Sequence, residues 1–124
     1  MSVPAALHTY LAFWNASDRA ERDALLARCV TPEVIFADPQ SYHEGLDALA
    51  RNATAFHGKY PGAVLTRTSG IDTQNRRYRY TWRIEVAGRV LLDGMDVATL
   101  APDGRIERVD GFFGPIRPHE DAAG

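Results

Sequence analysis

The chain has 124 residues, 45% hydrophobic and 24% charged, the composition of one compact domain rather than two. A chain of this size hides roughly two-thirds of its unfolded surface, enough for a core with a pocket cut into it. Fourteen basic against sixteen acidic residues leave a net charge of -2, so the positive field that would hold a nucleic acid or an anionic membrane is missing. Cys29 is the one cysteine, which excludes an internal disulfide and a multi-cysteine zinc site and fits a reducing, cytoplasmic compartment. The opening residues lack the basic start and apolar run of a leader, and no window approaches ~18 apolar residues, so neither secretion nor a membrane span is expected.

Ser2 as a cap, Pro4 in a first turn, and Leu7, Tyr10, Leu11 and Trp14 along one face predict a first helix, which Asn15 to Ser17 break. Asp18 followed by Glu21 is a capping-box variant that opens a second helix, with Leu25, Leu26 and Cys29 as its buried side. Thr31-Pro32 ends that helix, because the residue before proline is pushed out of the α region. Val34 to Ala37 is expected as a short strand closed by Asp38-Pro39. After a connection from Ser41 to Gly45, the residues Leu46, Leu49, Ala53, Phe56 and Tyr60 mark a third amphipathic helix, stopped by Pro61-Gly62.

From Val64 the period shortens to two. Tyr78, Tyr80, Trp82, Ile84 and Val86 alternate with Arg77, Arg79, Thr81, Arg83 and Glu85, the pattern of a strand with one dry face and one wet one. Ala87-Gly88 turns it into a partner from Arg89 to Leu100, and Pro102-Asp103-Gly104 turns that one into a last strand through Phe113. Helices first and strands afterwards predict an α+β domain, the helices closing one face of a curved sheet. Residues 1–116 are expected to form the domain and 117–124 a frayed tail.

Asp96 carries the first chemical signal. Strict alternation puts it on one strand face with Val90, Leu92, Ala98 and Leu100, which aims a carboxyl at the apolar side. A desolvated carboxyl is pushed toward its neutral form and can then donate a hydrogen bond to a substrate oxygen. If instead Leu91, Met95 and Val97 form the buried face, or a bulge flips the register, Asp96 is exposed. Asp38, in phase with Val34 and Phe36 at the end of its strand, suits a fixed but reachable general base, and equally suits ordinary Asp-Pro turn chemistry. Tyr10 on the buried stripe of the first helix needs a partner for its hydroxyl, or is plain core. Trp14, Phe36, Phe56, Trp82, Phe112 and Phe113 either line an apolar pocket or simply pack.

The histidines fall in no metal-ligand spacing and read as surface or pocket-rim residues, with a dyad of His57 and an aspartate as the catalytic alternative. No metal site is expected. The basic run Arg76, Arg77, Arg79 and Arg83 alternates with aromatic residues, which places its later members on a solvated sheet face or subunit contact rather than on nucleic acid. Phosphate-loop and Gly-x-Ser-x-Gly patterns are absent from the sequence.

Over nearly its whole length the chain resembles the NTF2-like superfamily, in its SnoaL-like and ketosteroid-isomerase-like branch. The resemblance is carried by Trp14-Asn15-Ala16-Ser17-Asp18, Phe36-Ala37-Asp38-Pro39, Gly94-Met95-Asp96-Val97, and Asp103-Gly104-Arg105-Ile106 leading to Gly111-Phe112-Phe113-Gly114. It implies three N-terminal helices packed on a strongly curved antiparallel or mixed sheet, a cone with a central pocket, often in a homodimer joined through the outer sheet face. In ketosteroid isomerases a carboxylate moves a proton beside a carbonyl while a tyrosine and a protonated aspartic acid stabilise the enolate. By resemblance Asp38 is the base, and Tyr10 and Asp96 are the oxyanion donors. Trp14, Phe36, Phe56, Trp82 and Phe113 are then the ligand-binding wall. Helix two is long for a true steroid isomerase, and the loop after Pro39 carries Tyr42 and His43, which sets steroid apart from the fold-level expectation. The expected function is a cofactor-independent isomerase or cyclase of a small apolar carbonyl compound. A noncatalytic ligand-binding or dimerisation module is the alternative, as is a hydrolase or dehydratase of the same fold that positions water with aspartate and arginine.

Overall fold

The computed structural model describes residues 3–120. Helix α1 spans Ala5–Asn15, α2 Arg19–Cys29 and α3 Leu46–Lys59. The strands are β1 Val30–Asp38, β2 Ser41–Glu44, β3 Val64–Arg67, β4 Asp72–Gln74, β5 Arg77–Val86, β6 Arg89–Leu100 and β7 Ile106–Phe113. The helices pack on a mixed seven-stranded sheet of order β2-β1-β7-β6-β5-β3, with β4 also paired to β5. Strands β5, β6 and β7 form the antiparallel meander, and β1 joins β7 in parallel.

The helix boundaries follow from local chemistry. Asp18 Oδ2 accepts the Glu21 backbone N–H at 2.9 Å and opens α2, as the Asp-x-x-Glu spacing predicts. Pro4, expected inside the first turn, is instead the residue at the helix boundary, and Ser2 lies outside the described residues. The side chain of Arg22 is buried and donates to the carbonyls of Ala16 (3.1 Å) and Ser17 (2.9 Å), which fixes the α1–α2 corner. Asn15 does more than end α1. Its amide donates to Leu65 O at 2.8 Å and accepts from Leu65 N at 2.7 Å, imitating a neighbouring strand along the edge of β3.

Several expectations are corrected. Phe13, not Leu11, is the fully buried residue of α1, since its ring meets both Tyr10 and Trp14. The short strand expected at Val34 begins at Val30 and runs through Pro32, where the β1–β7 register shifts and no ladder donor is needed. The stretch Ser41 to Glu44, expected as a connection, is β2, hairpinned onto β1. In β6 a bulge leaves Leu91 unpaired between Val90 and Leu92, so Val90 turns outward and is 51% exposed instead of sharing the face of Asp96. Phe112 is 60% exposed, because alternation along β7 sends its neighbours Gly111 and Phe113 inward.

The core joins Leu7, Phe13, Leu26, Leu49, Val30, Val34, Ile106 and Val109, from all three helices and the β1–β7 pair. On the opposite sheet face charge is paired: Arg79 with Asp72 (3.0 Å), Arg83 with Asp93 (2.7 Å) and Arg108 with Asp110 (2.9 Å). Residues 117–120 of the expected tail have no regular secondary structure, and 121–124 lie outside the described residues. No helix among the described residues is long and apolar enough to cross a membrane.

Candidate active site

A cavity of about 390 Å³ lies between α1, α3 and the inner face of the sheet. Its wall includes Tyr10 and Trp14 from α1, Phe36 and Asp38 from β1, and Phe56 from α3, with Trp82, Asp96, Gly111 and Phe113 from three adjacent strands. The three candidate acid-base residues therefore border one space, as do all five aromatic residues expected to form its wall. No arginine borders this cavity among the described residues, and Arg67 lies instead in an adjoining one that shares Tyr10, Trp82 and Asp96.

Asp96 is inward on β6, opposite Gly111 on β7 and Tyr80 on β5. It is half-buried and borders the cavity. Burial raises its carboxyl from the ordinary carboxylate range to about 7. Trp82 and Tyr80 oppose that rise, while the like charges of Asp38 and Asp110 add to it. The Tyr80 hydroxyl donates to Asp96 Oδ2 at 3.3 Å, a long bond. The indole N–H of Trp82 is buried with no hydrogen bond of ordinary geometry, so its pull on Asp96 is that of a nearby dipole.

Tyr10 is buried, and its hydroxyl has no hydrogen-bond partner among the described residues. Burial, with the Asp96 charge second, holds this phenol well above the ordinary tyrosine range, so it remains a neutral donor. The indole of Trp14 stands edge-on to the Tyr10 ring at 6.3 Å and exerts only a weak opposing pull. A buried, unpaired hydroxyl is costly by roughly 1–3 kcal/mol, which an acceptor brought in by a ligand would relieve.

Asp38 divides its oxygens. Oδ1 accepts from the backbone N–H of Gln40 (2.8 Å), the backbone N–H of Ser41 (2.8 Å) and the Ser41 hydroxyl (3.2 Å), holding the β1–β2 turn. Oδ2 makes no such bond among the described residues. The turn expectation for Asp38 is thus met by Oδ1.

The other candidates serve structure. His57 Nε2 lies 2.9 Å from the Trp14 carbonyl, tying α3 to α1, and burial lowers its pKa. Among the described residues it has no aspartate partner to form the His57 dyad. His43, expected at the surface or rim, packs on Phe36 at 6.2 Å with a buried Nε2. Burial pushes the Cys29 thiol up to about 12, unsuited to nucleophilic work.

Sequence reasoning missed Tyr80 and Gly111. A simple two-residue hairpin at Ala87-Gly88 would set Tyr80 beside Met95, and only the bulge at Leu91 moves it opposite Asp96. Gly111 did carry a signal, since a glycine inside a strand marks close approach.

Helices on a mixed sheet around an interior cavity define the NTF2-like, cystatin-like class of folds, and the comparisons agree. No family model matches the chain. No curated protein matches it. Among solved structures, a SnoaL-like family protein from Agrobacterium tumefaciens, given as a candidate isomerase, is 30% identical over 89% of this chain and 95% of its own, with a TM-score of 0.84. A candidate polyketide cyclase from Sinorhizobium meliloti is 16% identical, over 88% of this chain and 94% of its own, with a TM-score of 0.72. An NTF2-like protein of unknown function from Exiguobacterium is 21% identical, over 89% and 98%, with a TM-score of 0.74. These last two speak to the fold alone. The chain belongs to the SnoaL-like family.

Proposed function

We propose that this protein is a cofactor-independent isomerase or cyclase that moves a proton next to a carbonyl group of a small apolar compound. The observation that carries the reading is the meeting of Tyr10, Asp38 and Asp96 at one aromatic-walled cavity. Asp38 Oδ2 removes a proton from the carbon beside the carbonyl, and the electron pair moves onto the carbonyl oxygen. Tyr10 and protonated Asp96 each donate a hydrogen bond to that oxygen. The proton then returns from Asp38 to a different carbon, giving an isomer, or the enolate carbon attacks a second carbonyl, giving a ring whose new alkoxide oxygen takes the proton from Asp38. A positioned base contributes roughly 10²–10⁴-fold and each oxyanion donor roughly 10²–10³-fold. The SnoaL-like relative that is 30% identical and given as a candidate isomerase supports this reading.

Placement in the cytoplasm and a homodimer belong to the same proposal. Phe112 and Met95 face each other across β7 and β6 on the outer sheet face, where a second copy would cover them.

One observation favours a noncatalytic ligand-binding module instead: the turn bonds of Asp38 Oδ1 already explain an aspartate at that position. Asp38→Asn separates the two, because asparagine keeps the Oδ1 acceptor and loses only the base. Hydrogen–deuterium exchange beside the carbonyl is followed by NMR on a panel of cyclic enones and 1,3-diketones. Acceleration by the parent protein, reduced about 100-fold or more in Asp38→Asn at unchanged melting temperature, is expected. No acceleration with any member, or equal rates in the variant, supports the module.

A further inference from the structure

We infer that Tyr80 is a positioning residue which reserves Asp96 Oδ2 as an acceptor and so places the acid proton on Oδ1, over Gly111. The inference rests on the acid-base reading of the cavity and adds a residue to it.

Tyr80, Asp96 and Gly111 sit side by side on β5, β6 and β7, each directly opposite the next. Because strand partners share a face, all three point inward. The Tyr80 hydroxyl reaches Oδ2 of Asp96 at 3.3 Å. The other oxygen, Oδ1, lies 2.9 Å from where a Cβ on Gly111 would stand, and the same point is 3.5 Å from Asp38 Cβ. The two carboxyl oxygens therefore have different neighbours, a phenol on one side and the open floor toward Asp38 on the other.

A neutral carboxyl carries one proton and can place it on either oxygen. An oxygen that accepts a phenolic hydrogen is the poorer place for it, since two hydrogens would then crowd one atom in the same region. The proton goes to Oδ1, where Gly111 leaves room for a ligand oxygen. The charged and titratable groups facing this carboxyl are Tyr80 from β5, Tyr10 from α1 and Asp38 from β1, with Asp110 acting from the outer face of β7 and Arg67 of β3 acting on Tyr80. Of these groups Tyr80 alone donates a hydrogen bond to Asp96 among the described residues, and the buried indole N–H of Trp82 adds its pull without a hydrogen bond of ordinary geometry. Burial keeps the Tyr80 phenol well above the ordinary range, so it stays a donor as Asp96 titrates.

The test is Tyr80→Phe, which removes one oxygen atom from a wall that otherwise keeps its shape. Carbon-13 NMR gives the Asp96 midpoint in each ligand-free protein, and 2-naphthol binding is measured from pH 5 to 8.5. Tyr80 favours the charged carboxylate, so its loss should move the Asp96 midpoint upward by roughly half a pH unit. At pH 5, where Asp96 is neutral in both proteins, 2-naphthol affinity should fall about fivefold, because the proton is no longer confined to Oδ1. An unmoved or lowered midpoint, or unchanged affinity at pH 5, overturns the inference. Failure of the acid-base reading is separate: it appears as 2-naphthol binding that Tyr10→Phe and Asp96→Asn leave unchanged, and the Tyr80→Phe midpoint then still reports the contact.

Discussion

Asp96 and Gly111 stand opposite each other on neighbouring strands, and the missing side chain of Gly111 lets the Asp96 carboxyl and Asp38 share one cavity floor. An alanine Cβ at that point would lie 2.9 Å from Asp96 Oδ1, too close without a shift of the carboxyl. Gly111→Ala should destabilise the fold by about 1–2 kcal/mol and weaken 2-naphthol binding at least tenfold. Gly94 supports the same wall differently. A Cβ there would collide with the Trp82 ring and lie 2.6 Å from the Phe112 carbonyl. Gly94→Ala should therefore be the more damaging change, by about 3 kcal/mol. Denaturant titration of both variants checks the order, and a larger loss for Gly111→Ala would contradict it.

Tyr10 opposes function to stability. Its hydroxyl is buried without a partner, so deleting it removes a desolvation penalty. Tyr10→Phe should leave stability unchanged or raise it by up to about 1 kcal/mol, while α-proton exchange falls about 100-fold. Melting curves and exchange rates on the same preparations test the pair. A marked loss of stability would mean that the hydroxyl already has a partner.

Much of this was legible in the residues. The Asp18–Glu21 cap, the alternation through Tyr78 to Val86 and the glycine turns fix α2 and the meander by local chemistry, which is why those elements lie where expected. The phase of Tyr10, Asp38 and Asp96 on their elements, with the family resemblance, singles out three residues that border one cavity. What stayed hidden depends on pairing between distant strands. The Leu91 bulge moves Tyr80 opposite Asp96, and nothing local to Glu85 or Leu91 announces it. The β2 strand is similar: Ser41 to Glu44 has no striking alternation and becomes a strand because the Asp38 turn folds it back onto β1.

His57 gives a pH dependence of known sign. Burial lowers its pKa below the ordinary 6.5, opposed by its bond to the Trp14 carbonyl and aided by repulsion from Arg22. The unfolded chain then binds more protons than the fold as pH drops through that value, so the contribution of His57 is present above it and lost below it. His57→Gln can still donate to the Trp14 carbonyl without titrating. Its melting temperature should fall less than that of the parent protein between pH 7.5 and 5.5. Identical profiles would show that the imidazole does not couple to folding.

The neutral acid at Asp96 is the center of the account, and its titration is the most direct test. Its raised pKa makes the fold bind the extra proton, so its contribution is fully present below the unfolded value near 3.8 and is lost as pH rises through about 7. Asp96→Asn should accordingly be more stable than the parent protein above neutrality, by on the order of 3 kcal/mol. The deciding measurement is the carbon-13 chemical shift of the Asp96 carboxyl carbon followed from pH 3 to 9. The account predicts a midpoint of about 7, with the group still largely protonated at pH 6. A midpoint near 4 would make Asp96 an ordinary carboxylate and contradict its role as a hydrogen-bond donor.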